Sequence, residues 1–175
     1  MQLGSFRPYT FRHDTLNVID RINTLSNYFR TNNHKVIFIQ HDGTKENCFL
    51  PGEGDWEILP ELTKHFSDII ISKIANDAFY NTDLQAILTK CNVTELFVTG
   101  CATDFCIDAT IKSAVSKDYC IKVIQDGHTT ADRPHLTALA VINHYNWLWA
   151  NMTPTTFKIE VIKTYDLLKA FVDKV

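Results

Sequence analysis

No stretch of this 175-residue chain stays apolar for the roughly 18 residues that a membrane-spanning helix needs. The opening residues also lack a signal-peptide pattern, so the expectation is a cytoplasmic protein with no membrane partner. Glycine and proline are sparse, six and five, and nowhere cluster into a linker, a low-complexity tract or an internal repeat. Basic residues are in no excess: 17 Lys and Arg against 20 Asp and Glu give a formal net charge of −3, without the basic footprint of a nucleic-acid partner. The five cysteines (Cys48, Cys91, Cys101, Cys106 and Cys120) are odd in number and scattered. They fit reduced thiols better than a disulfide framework. Metal and phosphate signatures are missing too. His41 and Asp42 are adjacent rather than spaced as ligands, and the loop around Gly52 and Gly54 lacks the lysine and serine of a P-loop. No cofactor and no metal are expected.

What remains is an ordinary soluble composition, 45% apolar and 21% charged, and a length suited to one domain over residues 1–175 with a full core. Strand and helix patterns alternate. Asp14 stands as the cap of an amphipathic helix with Leu16, Ile19, Ile22, Leu25 and Phe29 on its apolar face. Strands are expected at 35–40, 68–72, 95–98, 119–124 and 157–162. Helices are expected after Pro60, after Thr82, from Asp104, from Asp132 to about Asn151, and from Tyr165 to Val172. Such β-α repetition argues for an α/β fold, a mostly parallel sheet covered by helices on both faces. Sites in these sheets lie beyond the C-terminal strand ends.

Two candidates stand at such ends. Cys106, in the run Val98-Thr99-Gly100-Cys101-Ala102-Thr103-Asp104-Phe105-Cys106, falls in the first turn of a helix, where free backbone N–H groups and the helix dipole favour a thiolate. The same N–H groups could hold an oxyanion. The alternative is a small buried hydrophobe. Lys73, after Ile69-Ile70-Ile71, is either a solvated strand terminus or a cation that stabilises that thiolate. Asp104 reads as a helix cap, and His128 either faces the site or is a turn histidine capped by the threonines that follow it.

These residues fall into motifs. Lys73 to Leu84 resembles the lysine block of the isochorismatase-like cysteine hydrolases, the family of nicotinamidases and N-carbamoyl amidases. Val98 to Cys106 resembles its nucleophile motif, Asp126 to Thr130 a later turn, and Trp56 to Leu62 the segment before the lysine strand. The resemblance covers nearly the whole chain. It implies a Rossmann-like three-layer α/β/α fold and hydrolysis of a small amide or other C–N substrate through a Cys106 thioester. It also implies Lys73 beside Cys106, a cis peptide at Cys101-Ala102, and an oxyanion hole from the N–H groups of Ala102 and Cys106. Phe105, Trp56 and Phe79 are candidates for the substrate pocket, and assembly as a homo-oligomer is implied, with the helix around Tyr145, Trp147, Leu148 and Trp149 as a possible interface. The family's general-base aspartate ends a first, central strand. Met1-Gln2-Leu3-Gly4-Ser5-Phe6 resembles the residues immediately after that aspartate, so the strand and base are expected upstream of Met1. The sheet is then expected to have two open edges. The chain as written is expected to turn over small amides poorly, with Asp104 and Asp126 the substitutes to test. The alternative reading is a catalytically silent member that binds a small ligand or serves as an oligomer subunit.

Overall fold

The computed structural model describes residues 1–173. Five helices are formed: α1 (Thr15–Thr31), α2 (Leu84–Lys90), α3 (Asp108–Val115), α4 (Ala138–Asn151) and α5 (Thr164–Val172). Five strands alternate with them: β1 (Ile37–His41), β2 (Ile69–Lys73), β3 (Glu95–Cys101), β4 (Cys120–Thr129) and β5 (Glu160–Ile162). Every strand pair is parallel, and the strands form two groups, β1 with β2 and β3-β4-β5. The expected open edges are therefore those of β1 and β3, and both border one cavity of about 640 Å³.

Side-chain alternation along β4 sets the layers. Ile121 and Val123 point toward Leu84 and Leu88 of α2, Ile111 and Ala114 of α3, and Trp149 of α4. Ile124 points the other way, to Leu25 of α1 and Leu167 of α5. Helices α2, α3 and α4 thus cover one face and α1 and α5 the other, a three-layer α/β/α architecture. α1 buries Val18, Ile19, Ile22 and Leu25, the spacing of one helical stripe.

Several boundaries depart from the expected ones. No helix follows Pro60; residues 60–62 form a turn. α4 begins at Ala138 rather than Asp132, because Pro134 disfavours helix in the residue before it. Asp132 Oδ1 instead accepts the N–H of Ala138 at 2.7 Å, and Thr137 Oγ1 accepts that of Ala140 at 3.2 Å. Asp14 does precede α1, but in a left-handed conformation (φ 52°) in which its side chain accepts no backbone N–H of the helix. Its carboxylate accepts from Asn17 and Arg21 instead. β4 runs on to Thr129, so His128 lies in a strand and not in a turn. Trp149 of α4 belongs to the core, whereas Trp147 is 64% exposed.

Ile111 is fully buried between α3 and the sheet. Ile111→Ala should cost about 2–5 kcal/mol of unfolding free energy, read from denaturant midpoints. Ile70→Ala, on the exposed side of β2, should change it by about 0.5 kcal/mol or less.

Candidate active site

Chemistry-bearing side chains gather where β2 and β3 end. The Lys73 side chain is buried, and its Nζ donates to Ala75 O (2.6 Å), Asn76 O (2.8 Å) and Cys106 Sγ (3.1 Å). An ammonium has three N–H bonds, so each has an acceptor and one of them is sulfur. The loop that supplies the two carbonyls is pinned to α3: Ala78 N–H donates to Thr110 Oγ1 at 3.1 Å, and Thr110 Oγ1 donates to Asn76 O at 3.5 Å. The Cys106 thiol also reaches Asn76 Oδ1 at 3.6 Å.

The backbone around Cys106 is irregular. Gly100 has φ +119°, a conformation that side chains rarely adopt. The Cys101-Ala102 peptide is cis, and residues Thr103–Ile107 form a π-helical turn before α3. Ala102 O accepts both Phe105 N–H and Ile107 N–H, each at 3.1 Å. Widened turns of this type occur often at functional sites. Cys106 therefore lies in a π-turn and not in the first turn of an α-helix. The neighbouring Cys101 is a different kind of thiol: burial, partly opposed by Arg12, pushes its pKa up to about 11.

Two networks hold this turn. On one side, Asp104 accepts Arg133 Nε at 2.7 Å, Arg133 Nη2 at 2.8 Å and Thr130 Oγ1 at 2.7 Å. Burial alone would raise the Asp104 pKa, but the bonds from Arg133 and Thr130 outweigh it and hold the carboxyl below its ordinary value. Asp104 is thus a partner of Arg133 and does not cap a helix. On the other side, buried His128 joins Thr103 Oγ1 (2.9 Å, Nδ1) to Asn146 Oδ1 (3.0 Å, Nε2), and Asn146 Nδ2 donates to Gln125 O at 3.1 Å. Because the Asn146 oxygen only accepts, the network assigns the proton to Nε2, and Nδ1 accepts from the threonine hydroxyl. Burial lowers the His128 pKa, beyond what Asn146 and Asp126 restore.

Among the expected pocket residues, Phe79 lines the cavity with Lys73 and Cys106. Phe105 instead lies half-exposed beneath the Arg133 guanidinium, 5.0 Å from its carbon to the ring centre. Trp56 lies in a turn whose carbonyl accepts Gln2 Nε2 (2.9 Å) and Gln40 Nε2 (2.8 Å). Neither is among the cavity-lining residues. Asp126 accepts from Thr164 N–H (2.9 Å) and Thr164 Oγ1 (2.8 Å) at the start of α5. Residue type alone does not single out Asn76, Thr110 or Arg133. His41 lacks metal-ligand spacing in the sequence, yet β1 pairs it with Lys73, and burial together with the Lys73 charge lowers its pKa. Among the described residues, no three His, Cys, Asp or Glu side chains gather as a metal-ligand set, and no helix is long and apolar enough to cross a membrane.

Both networks make stability depend on pH. His128 titrates lower folded than unfolded, so the stability tied to its neutral form is complete above about pH 6.5 and is lost as pH falls from there. Denaturant titrations between pH 7.5 and 5 should show a slope of up to about 1.4 kcal/mol per pH unit that His128→Gln flattens. Asp104 is also depressed, so its contribution is present above about pH 4 and disappears on further acidification. Arg133→Gln should move the acid-unfolding midpoint, followed by circular dichroism, to higher pH; superimposable curves would remove the clamp from the stability account.

Comparison with known proteins identifies the family. The isochorismatase domain model matches residues 1–155. The isochorismatase family protein YddQ of Bacillus subtilis is 30% identical, over 68% of this chain and 73% of that one. A streptothricin hydrolase of Streptomyces noursei is also 30% identical, over 67% of this chain. A ureidoacrylate amidohydrolase of Cronobacter sakazakii is 30% identical over 53% of it. The matched regions span only 42% and 40% of those two hydrolases. Among solved structures, an isochorismatase family protein superposes with a TM-score of 0.84 at 28% identity over 93% of both chains. A cysteine hydrolase from Pseudomonas syringae pv. phaseolicola shares the fold at 21% identity, with a TM-score of 0.88 over 100% of this chain and 90% of that one. With its three-layer fold and with 155 residues matched by the domain model, the chain belongs to the isochorismatase family of hydrolases.

Proposed function

We propose that the protein is a cysteine hydrolase of small amide or ureide substrates and that Cys106 is its nucleophile. The observation that carries this reading is the third Lys73 N–H directed at Cys106 Sγ, 3.1 Å away, with the other two held by backbone carbonyls. A cation fixed in this way favours the thiolate. The sulfur attacks the substrate carbonyl, a C–S bond forms, and the C–N bond breaks as the nitrogen leaves with a proton. Water then hydrolyses the thioester to the acid and regenerates the thiol. The N–H groups of Ala102 and Cys106 are proposed to receive the oxyanion in both steps. The ureidoacrylate amidohydrolase among the relatives supports a C–N bond as the target.

One observation favours a second reading, a silent small-ligand binder. Asp104 is bound by Arg133 and Thr130, and Asp126 by Thr164, so neither carboxylate substitutes as the proton acceptor for Cys106. Among the described residues, the hydrogen-bond partners of the thiol are Lys73 and Asn76.

Ammonia release from a panel of N-carbamoyl amino acids and primary amides separates the two readings. Turnover that disappears in Cys106→Ala supports the hydrolase. Binding of panel members without turnover supports the silent reading. Independently of substrate, Lys73→Ala should slow iodoacetamide alkylation of Cys106 at pH 7 by about tenfold or more, the usual effect of removing one adjacent opposite charge. Equal rates would sever the proposed coupling.

A further inference from the structure

Cys106 Sγ has two hydrogen-bond partners among the described residues, and they differ in kind. Lys73 Nζ, 3.1 Å away, is a cation on a buried side chain. Asn76 Oδ1, 3.6 Å away, is a neutral acceptor on an exposed one. With a neutral thiol the second contact is sound, because S–H donates and the carboxamide oxygen accepts. With the thiolate that Lys73 favours it is not. A thiolate has no proton to give, and a carbonyl oxygen turned toward it sets partial negative against full negative charge.

The other end of the same side chain supplies what the thiolate needs. Asn76 makes its hydrogen bonds through O and Oδ1, so Nδ2, with two N–H bonds, has no partner among the described residues. The two ends of a carboxamide have the same shape, and half a turn about its last side-chain bond exchanges them. The exchange sacrifices no other contact, since Oδ1 enters the solvent that Nδ2 leaves. Meanwhile the backbone stays in place. Asn76 O accepts Lys73 Nζ at 2.8 Å and Thr110 Oγ1 at 3.5 Å, and Asp77 Oδ1 accepts Phe79 N–H at 2.8 Å in the same loop. The loop thus fixes where the carboxamide stands and leaves its polarity to the charge on sulfur.

We propose that Asn76 is a further catalytic residue, whose side-chain N–H donates to the Cys106 thiolate and shares its charge with Lys73. The proposal rests on the reading of Cys106 as the nucleophile. Lys73 stabilises the anion from the buried side by formal charge; Asn76 does so from the exposed side by a dipole. A neutral donor suits that side, because nucleophilicity falls as a thiolate is made more stable, and a second cation would reduce it further. Other titratable groups nearby leave the role to Asn76. Asp104 is bound by Arg133, and burial keeps Cys101 protonated. His41, paired with Lys73 across β1 and β2, is held toward its neutral form by burial and the Lys73 charge.

The test is the sign of a shift. Iodoacetamide alkylation of Cys106 is followed in the whole chain from about pH 4 to 10, with the modified peptide counted by mass spectrometry to exclude the other cysteines. Asn76→Ala should raise the midpoint of the rate profile by about 0.5 pH unit or more, because a donor to the thiolate is lost. If Oδ1 instead serves the thiol, the same substitution lowers the midpoint; a lowered or unchanged midpoint overturns the proposal. Asn76→Asp matches asparagine in shape and keeps the backbone contacts, but sets a carboxylate at the sulfur. Its midpoint should rise by about one unit or more, whereas a merely structural role leaves it at the unsubstituted value and overturns the proposal. A second measurement needs no change at Asn76. The side-chain N–H proton signals of Asn76, followed by NMR, should move with the same midpoint as alkylation and lose that dependence in Cys106→Ala. Signals indifferent to Cys106 overturn the proposal even where a variant fails to fold. An unreactive Cys106 in the unsubstituted chain removes the nucleophile reading and this proposal with it; a reactive Cys106 indifferent to Asn76 removes the proposal alone.

Discussion

The contact between Lys73 Nζ and Cys106 Sγ ties together two groups of strands that share no ladder hydrogen bond. A buried ammonium is costly to desolvate and persists only when its donors are satisfied, here by Ala75 O, Asn76 O and the sulfur. Those carbonyls constrain the loop after β2, and Thr110 in turn fixes the loop to α3. The charge thus organises the route of the chain on both sides of the gap.

Much of this architecture was legible in the sequence because apolar periodicity reports burial directly. Ile69-Ile70-Ile71 and Ile121-Lys122-Val123-Ile124 could hardly be other than strands, and both are. The stripe Ile19, Ile22, Leu25 marked α1 in the same way. The failures were local and polar. Pro60 suggested a helix start where only a turn forms, since no apolar stripe follows to bury one. Asp14 and Asp104 both resemble caps, but a sequence does not show that an arginine seven or twenty-nine residues away will claim the carboxylate. The juxtaposition of Lys73 and Cys106 was legible from their places at strand ends together with the family motifs. The networks through Arg133 and Asn146 had no signal in the sequence at all, because long-range polar pairing leaves no periodicity.

The turn that carries Cys106 is held from two sides by opposite kinds of chemistry. Asp104 and Arg133 use formal charge near the surface; Thr103, His128 and Asn146 use neutral groups in the core. Register makes both possible. Val98 pairs with Val123 and Gly100 with His128, so two steps along β3 span five along β4. The extra residues carry His128 and Thr129 alongside Gly100 and Cys101. Gly127 permits the excursion, for a Cβ there would stand 2.7 Å from Ile124 and 3.2 Å from Thr99.

That excursion in β4 bears on how the molecule breathes. Loops usually open alone, at small free energy, while core strands open only when a whole cooperative unit does. His128 makes the Cys106 turn part of the second class: releasing Thr103 means losing its bond to a side chain embedded in β4 and fastened to α4. The segment 44–56, made of short turns with mostly exposed side chains, belongs to the first class. Opening of that segment therefore costs little, and the Cys106 sulfur stays as still as the strand behind it.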